Sequence, residues 1–224
     1  MEDSSNNNDN TEEVSSIEAQ TEKAFFSTIE ARVIGALMEK HLTTPKNYPL
    51  TINSLMSACN QKSNREPVMK LTEGQIGHTV NTLVERKLAG LDYGERANKV
   101  THRVCTELDI DRKQQAILSV LLLHKPQTLN DIKARTARMV EFSGIEDLQQ
   151  SVNNMIEREM PLVVLIPKGS GRREDRYAHT LCGEVSAADI EKDTVVLTSL
   201  PVENERLDAI EARLKFIEER LDIV

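Results

Sequence analysis

Apolar positions between residues 28 and 181 follow two rhythms, and the order in which those rhythms alternate occurs twice. Over 28–41, Ala31, Ile34, Leu37 and Met38 recur at helical spacing, and Ser27 and Glu30 have the separation of a capping box. Pro45 and Pro49 forbid the helix to continue, and 48–50 reads as one short strand. Thr51 then caps a second helix, 52–59, with Ile52, Leu55, Met56 and Cys59 inward. A loop, 60–70, leads to a third helix, 72–87. There Ile76, Val80, Leu83, Val84 and Lys87 lie on one side, Gln75, His78, Asn81 and Thr82 on the other, and Arg86 at the edge. The spacing makes Thr72 an N-cap and Gln75 its capping-box partner. Gly90 and Gly94 punctuate a hairpin over 88–103, in which Val100, His102 and Val104 alternate. Residues 72–103 are the segment around which the chain is read as organised.

The order then restarts. Asp111 and Gln114 begin a helix that runs to about His124 and carries Ala116, Ile117, Val120, Leu121 and Leu123. Pro126 breaks it, and Thr128 caps a short helix bearing Leu129 and Ile132. A helix over 145–158 turns Leu148, Val152, Met155 and Ile156 inward. Strands over 162–166 and 175–181 flank a turn at 168–174. An offset of about 70–80 residues between the two series is an internal repeat. A polar-faced helix ending in a hairpin is the working end of a winged helix-turn-helix. The expected fold is mainly α with small β-hairpin wings, an α+β class: two tandem winged helix-turn-helix domains, 23–103 and 104–181, plus a C-terminal amphipathic helix. Residues 182–202 read as a linker. In 203–224, Leu207, Ile210, Leu214, Ile217, Leu221 and Val224 trace a heptad seam. That seam either forms a homodimer through 207–224 or packs back on its own chain.

Composition adds constraints. No apolar run approaches the ~20 residues of a membrane span, so no membrane partner is expected. Residues 1–22 hold seven acids and no bases, and read as a disordered acidic tail with no secretory pattern. Cys59, Cys105 and Cys182 have no CxxC spacing, which points to reduced thiols in a cytoplasmic protein. The net charge of −8 opposes nucleic acid, but its distribution matters more. Residues 23–103 carry twelve bases against seven acids, residues 104–181 carry eleven of each, and residues 182–224 carry five bases against eleven acids. The basic surplus therefore falls on the segment holding the third helix and its wing.

These residues define the candidate chemistry. Lys62, Ser63, Asn64 and Arg65 suit phosphate and base-edge contacts; equally, such a loop can serve turns and a fixed salt bridge. Gln75, His78 and Thr82 are base-edge candidates, and Arg86, Lys99 and Arg103 are backbone candidates. Glu85 also faces outward and opposes phosphate. In the second unit, Glu146 and Asp147 make an unsuitable groove reader, but Lys168, Arg172 and Arg173 at the wing tip could grip phosphate. His41, His78, His102, His124 and His179 have no metal spacing. His41 and His124 end corresponding helices, which favours a cap role. No nucleophile, base and orienter assemble from spacing, so neither an enzyme nor a cofactor is expected.

The run Tyr48-Pro-Leu-Thr51, the longer run Ala58-Cys-Asn-Gln-Lys-Ser-Asn-Arg-Glu-Pro-Val68, Thr43-Thr-Pro45 and Glu174-Asp-Arg-Tyr177 resemble the YceH-like family of proteobacterial proteins. The likeness spans about residues 27–221. It implies two tandem winged helices and a C-terminal helix, and it brings no established activity. The family tends to carry an aromatic after the lysine of the first wing. Here the stretch reads Lys99-Val100-Thr101-His102-Arg103, which departs from that pattern and puts a stacking contact from this wing in doubt.

Two functions fit. One is a regulator that binds duplex DNA through 72–87 and its wing. The other is a protein-interaction adaptor built from winged helices that touch no nucleic acid, favoured by the acidic second half and the heptad seam.

Overall fold

A computed structural model of the chain describes residues 24–94, 97–169 and 173–183. The tail 1–22, the heptad helix 203–224, nearly all of the linker, and Arg172 lie outside the described residues.

Local chemistry sets the helix starts. Ser27, Thr51, Thr72, Asp111 and Thr128 each accept a hydrogen bond from the third amide of the helix that follows. At Ser27, Thr72, Asp111 and Thr128 the third residue's side chain returns the bond, completing a capping box. The first series is α1 (Thr28–Thr43), a 3₁₀ turn (Pro45–Asn47), β1 (Leu50–Thr51), α2 (Ile52–Cys59), α3 (Glu73–Glu85), β2 (Ala89–Asp92) and β3 (Lys99–His102). The short helix α4 (Val104–Glu107) leads to the second series. That series is α5 (Arg112–Leu123), α6 (Leu129–Thr136), α7 (Ile145–Ile156), β4 (Val163–Ile166) and β5 (Arg176–His179).

Both series are winged helices. In the first, the antiparallel sheet has the order β1-β3-β2, with Leu50 and Leu91 both opposite Val100. In the second, β4 and β5 pair with Leu165 opposite Tyr177, and a single bridge from Gln127 to Tyr177 stands where β1 stands in the first.

Two local expectations change. The third helix ends at Glu85, not Lys87. Lys87 takes a left-handed φ of 61° and is exposed, so it does not belong to the apolar face. The Lys87 amide donates to the Val84 carbonyl at 2.9 Å and the Leu88 amide to Leu83 at 2.8 Å. That is a Schellman closure with lysine in the position glycine usually holds. The alternation through Val104 also fails. The strand stops at His102, and Val104 opens α4 with its side chain in the core.

The structural centre is the pair α1 and α5, not the 72–103 segment. Every residue from Glu30 to Glu39 is buried, and the same holds from Gln114 to Leu123. A helix buried on all sides needs neighbours on all sides. Here α2 and α3 cover one side of α1, and α5 covers another. One apolar cluster runs from Phe26 through Leu37 and Leu121 to Leu181, and so includes residues of both winged helices. At the crossing, a Cβ on Gly35 would lie 2.9 Å from the Leu122 Cβ and 3.0 Å from the Leu123 Cγ. Only hydrogen fits there, so Gly35→Ala should cost about 1–3 kcal/mol of stability through overpacking. An unchanged urea midpoint for that variant would refute the tight crossing.

Candidate functional site

The outward surface of α3 carries Gln75, His78, Asn81 and Thr82, as the periodicity requires. Gln75, His78 and Asn81 are exposed, and Thr82 is half-buried. Their chemistry is partly committed. The Gln75 Oε1 accepts from the Thr72 amide at 2.9 Å, and the Thr82 hydroxyl donates to the His78 carbonyl at 3.2 Å. Residues Glu73–Glu85 contain no lysine or arginine. Gly74 and Gly77 lie on this helix with nothing within 4 Å of where a Cβ would stand.

Two expected contact residues are claimed by the fold. Arg65 is only 4% exposed. Its Nε donates to the Ala58 carbonyl at 2.9 Å, its Nη1 to the Asn64 carbonyl at 2.6 Å and its Nη2 to Glu39 Oε2 at 2.5 Å. A guanidinium so enclosed cannot reach a duplex, so the fixed-salt-bridge reading of this residue holds, with Glu39 as partner. Arg86 follows α3 and turns toward the start of α1. Its Nη1 donates to Glu30 Oε1 at 2.7 Å and its Nη2 to the Phe25 carbonyl. The guanidinium also stands 5.4 Å from the Phe25 ring centre and 5.8 Å from that of Phe26. Arg86 therefore fastens one end of α1 instead of offering a free cation.

The other expected residues remain at the surface. Lys62, Ser63 and Asn64 are exposed. Asn64 takes a left-handed φ of 61°, which asparagine tolerates, and its Oδ1 accepts from Arg135 Nη1 at 3.0 Å. Lys99 and Arg103 are exposed at the two ends of β3, and the Arg103 guanidinium lies over Gly90. In the second wing, Lys168 and Arg173 are exposed beside a cleft of about 250 Å³.

Several residues carry signals that periodicity did not reveal. Tyr93, near the end of the outgoing strand of the first wing, is 81% exposed. The wing thus has an aromatic ring after all, just past the end of β2, opposite the strand where the family likeness placed it. A cleft of about 650 Å³ runs along the outer side of α2, lined by Lys46, Ser54, Ser57 and Lys99 among others. A neighbouring cleft of about 370 Å³ shares Lys40, Thr44 and Gln61 with it and adds Lys62, Arg135 and Arg138. The two arginines stand three apart on the short helix region whose apolar pair alone was legible.

A polar knot lies between α1, β3 and α5. His41 Nδ1 and His102 Nε2 are 3.0 Å apart, Gln115 Nε2 donates to the Met38 carbonyl at 3.1 Å, and the His102 amide donates to Tyr48 Oη at 2.7 Å. Burial, and then His41, hold the His102 imidazole down at about 4. Burial does the same to His179, also to about 4. His124 fills the cap role, its Nδ1 donating to the Val120 carbonyl at 2.9 Å. His41 instead turns its ring to His102. Among the described residues no group of three or more His, Cys, Asp or Glu is placed to hold a metal ion, and no helix is long and apolar enough to cross a membrane.

Residues 26–172 match a family described as "Protein of unknown function, DUF480". A UPF0502 protein of Cellvibrio japonicus is 44% identical over 166 residues, covering 74% of this chain and 75% of that protein. One from Pseudomonas fluorescens is 39% identical over 213 residues, covering 91% and 95%. One from Vibrio atlanticus is 37% identical over 203 residues, covering 88% and 93%.

Proposed function

We propose, for a chain that belongs to the DUF480 family of UPF0502 proteins, that it is a winged-helix regulator binding duplex DNA. The observation that carries this reading is the outer side of α2. In a helix-turn-helix the first helix of the motif crosses the sugar-phosphate backbone while the second enters the major groove. Here α2 is that first helix. Lys46, Ser54, Ser57 and Lys99 line the cleft along it, so cations and hydroxyls stand where phosphates would pass. Gln75, His78 and Asn81 on α3 then meet base edges as uncharged polar groups. Arg65 and Arg86 take no part.

A labelled random-sequence duplex, titrated at about 50 and 200 mM salt, tests this; affinity should fall by orders of magnitude across that range. Lys46→Gln and Lys99→Gln should each reduce the salt slope by about one. Absence of binding at the lower salt, with the fold intact, refutes the reading.

The adaptor reading keeps one supporting observation. The α3 helix carries Glu73 and Glu85 and no lysine or arginine, with Val68 54% exposed just before it and Tyr93 81% exposed on the adjoining wing. That surface suits a protein partner better than a polyanion. Partner capture that survives high salt would favour it over DNA.

A further inference from the structure

The loop 60–65 of the first winged helix and the C-terminal end of α6 in the second face each other across the 370 Å³ cleft. Lys40, Lys62, Ser63, Asn64, Arg135 and Arg138 line it. Its one carboxylate, Glu39, is already held by Arg65 at 2.5 Å and Lys40 at 3.2 Å, with its side chain 7% exposed. Four cations thus share a small concavity whose acid is spent.

Arg135 is the fixed member. Its Nε donates to Gln127 Oε1 at 2.8 Å, and its Nη1 meets Asn64 Oδ1 and His124 Nε2, each at 3.0 Å. All three acceptors are neutral. They orient the guanidinium, no carboxylate forms an ion pair with it among the described residues, and its nearest acidic influence is Asp131, one turn earlier on α6, whose carboxyl its charge helps to hold down. Lys62 and Arg138 are exposed and have no hydrogen-bond or ion-pair partner among the described residues. A pre-oriented planar fork flanked by two unspent flexible cations is a phosphate-recognition arrangement. The volume lies within the range of small-ligand sites, roughly 300–1,000 Å³.

We propose that this cleft binds a small diphosphate-bearing ligand, in the class of pyrophosphate and nucleoside diphosphates. Such a ligand joins the two winged helices, because Lys40 and Lys62 come from the first and Arg135 and Arg138 from the second. The site stands whether or not α3 meets DNA, since it shares neither Lys46 nor Lys99.

The test is calorimetric titration of the full chain with pyrophosphate and with ADP at constant ionic strength, alongside thermal unfolding, with sulfate as the reference anion. Saturable binding and a ligand-dependent rise in Tm are expected, beyond what sulfate produces. Lys62→Gln and Arg138→Gln should each weaken binding about tenfold or more, the loss of one charge-assisted hydrogen bond. Neither should alter the Tm of the ligand-free protein, because neither side chain holds anything in the fold. A response no larger than that to sulfate overturns the proposal. So does binding that both variants retain in full. Displacement of the small ligand by random duplex, with both variants losing DNA affinity in parallel, would reassign these cations to a nucleic-acid backbone and also overturn it.

Discussion

Arg65→Ala should destabilise the protein by about 3–5 kcal/mol, the usual loss when one partner of a buried ion pair is removed. The side chain of Arg65 is fully enclosed, and it ties three places together: the end of α2 at Ala58, its own loop at Asn64, and Glu39 on α1. Truncation leaves the Glu39 carboxylate, 7% exposed, with only Lys40 at 3.2 Å. Urea unfolding of the variant measures the loss. A companion double variant, Glu39→Met with Arg65→Met, should recover much of it, because apolar groups of similar volume need no counter-charge. A change of less than about 1 kcal/mol for Arg65→Ala would place this pair with weak surface bridges. The same variant is a poor probe of DNA binding, since any lost affinity would report a damaged fold.

Acid should weaken the protein well before its carboxylates titrate. His102 and His179 are both held at about 4 in the folded chain, against about 6.5 when unfolded. The unfolded chain therefore binds more protons between these values, so stability is fully present above about pH 6.5 and declines as pH falls toward 4. Each histidine should contribute a loss of about 2 kcal/mol by pH 5 relative to neutrality. His179 adds a reason of its own, because its Nδ1 is buried without a partner. Urea midpoints at pH 7.5 and 5.0, for the native chain and for His102→Gln and His179→Gln, check this. Each variant should flatten the profile. A native profile level across that interval would show that both imidazoles protonate freely in the folded state.

What could be read from the sequence was local. The caps at Ser27, Thr51, Thr72, Asp111 and Thr128 depend on residues three apart, and the buried faces of α2, α3 and α7 depend on spacing within one helix. These give the winged-helix order directly. The fates of Arg65 and Arg86 depend on Glu39 and Glu30, partners 26 and 56 positions away. No pattern in the sequence around either residue distinguishes a cation bound for such a partner from one left for solvent. Arg135 is legible only once Gln127, His124 and Asn64 have converged on it. Val104 is ambiguous in the sequence, because an apolar residue after a strand fits both a further strand step and the first turn of a helix. Tyr93 carries no sequence signal, because a single aromatic beside a turn has no period to announce it.

The burial of α1 against α5 has a mechanical consequence. Both wings and both exposed helices are referred to one rigid axle, with only the short α4 segment between the repeats and no slack strand to absorb motion. The described residues therefore hold the two wings at a set pitch, like the jaws of a fixed gauge. A partner that engages both must already match that pitch or deform to meet it, which makes the spacing of its own contacts a selection rule.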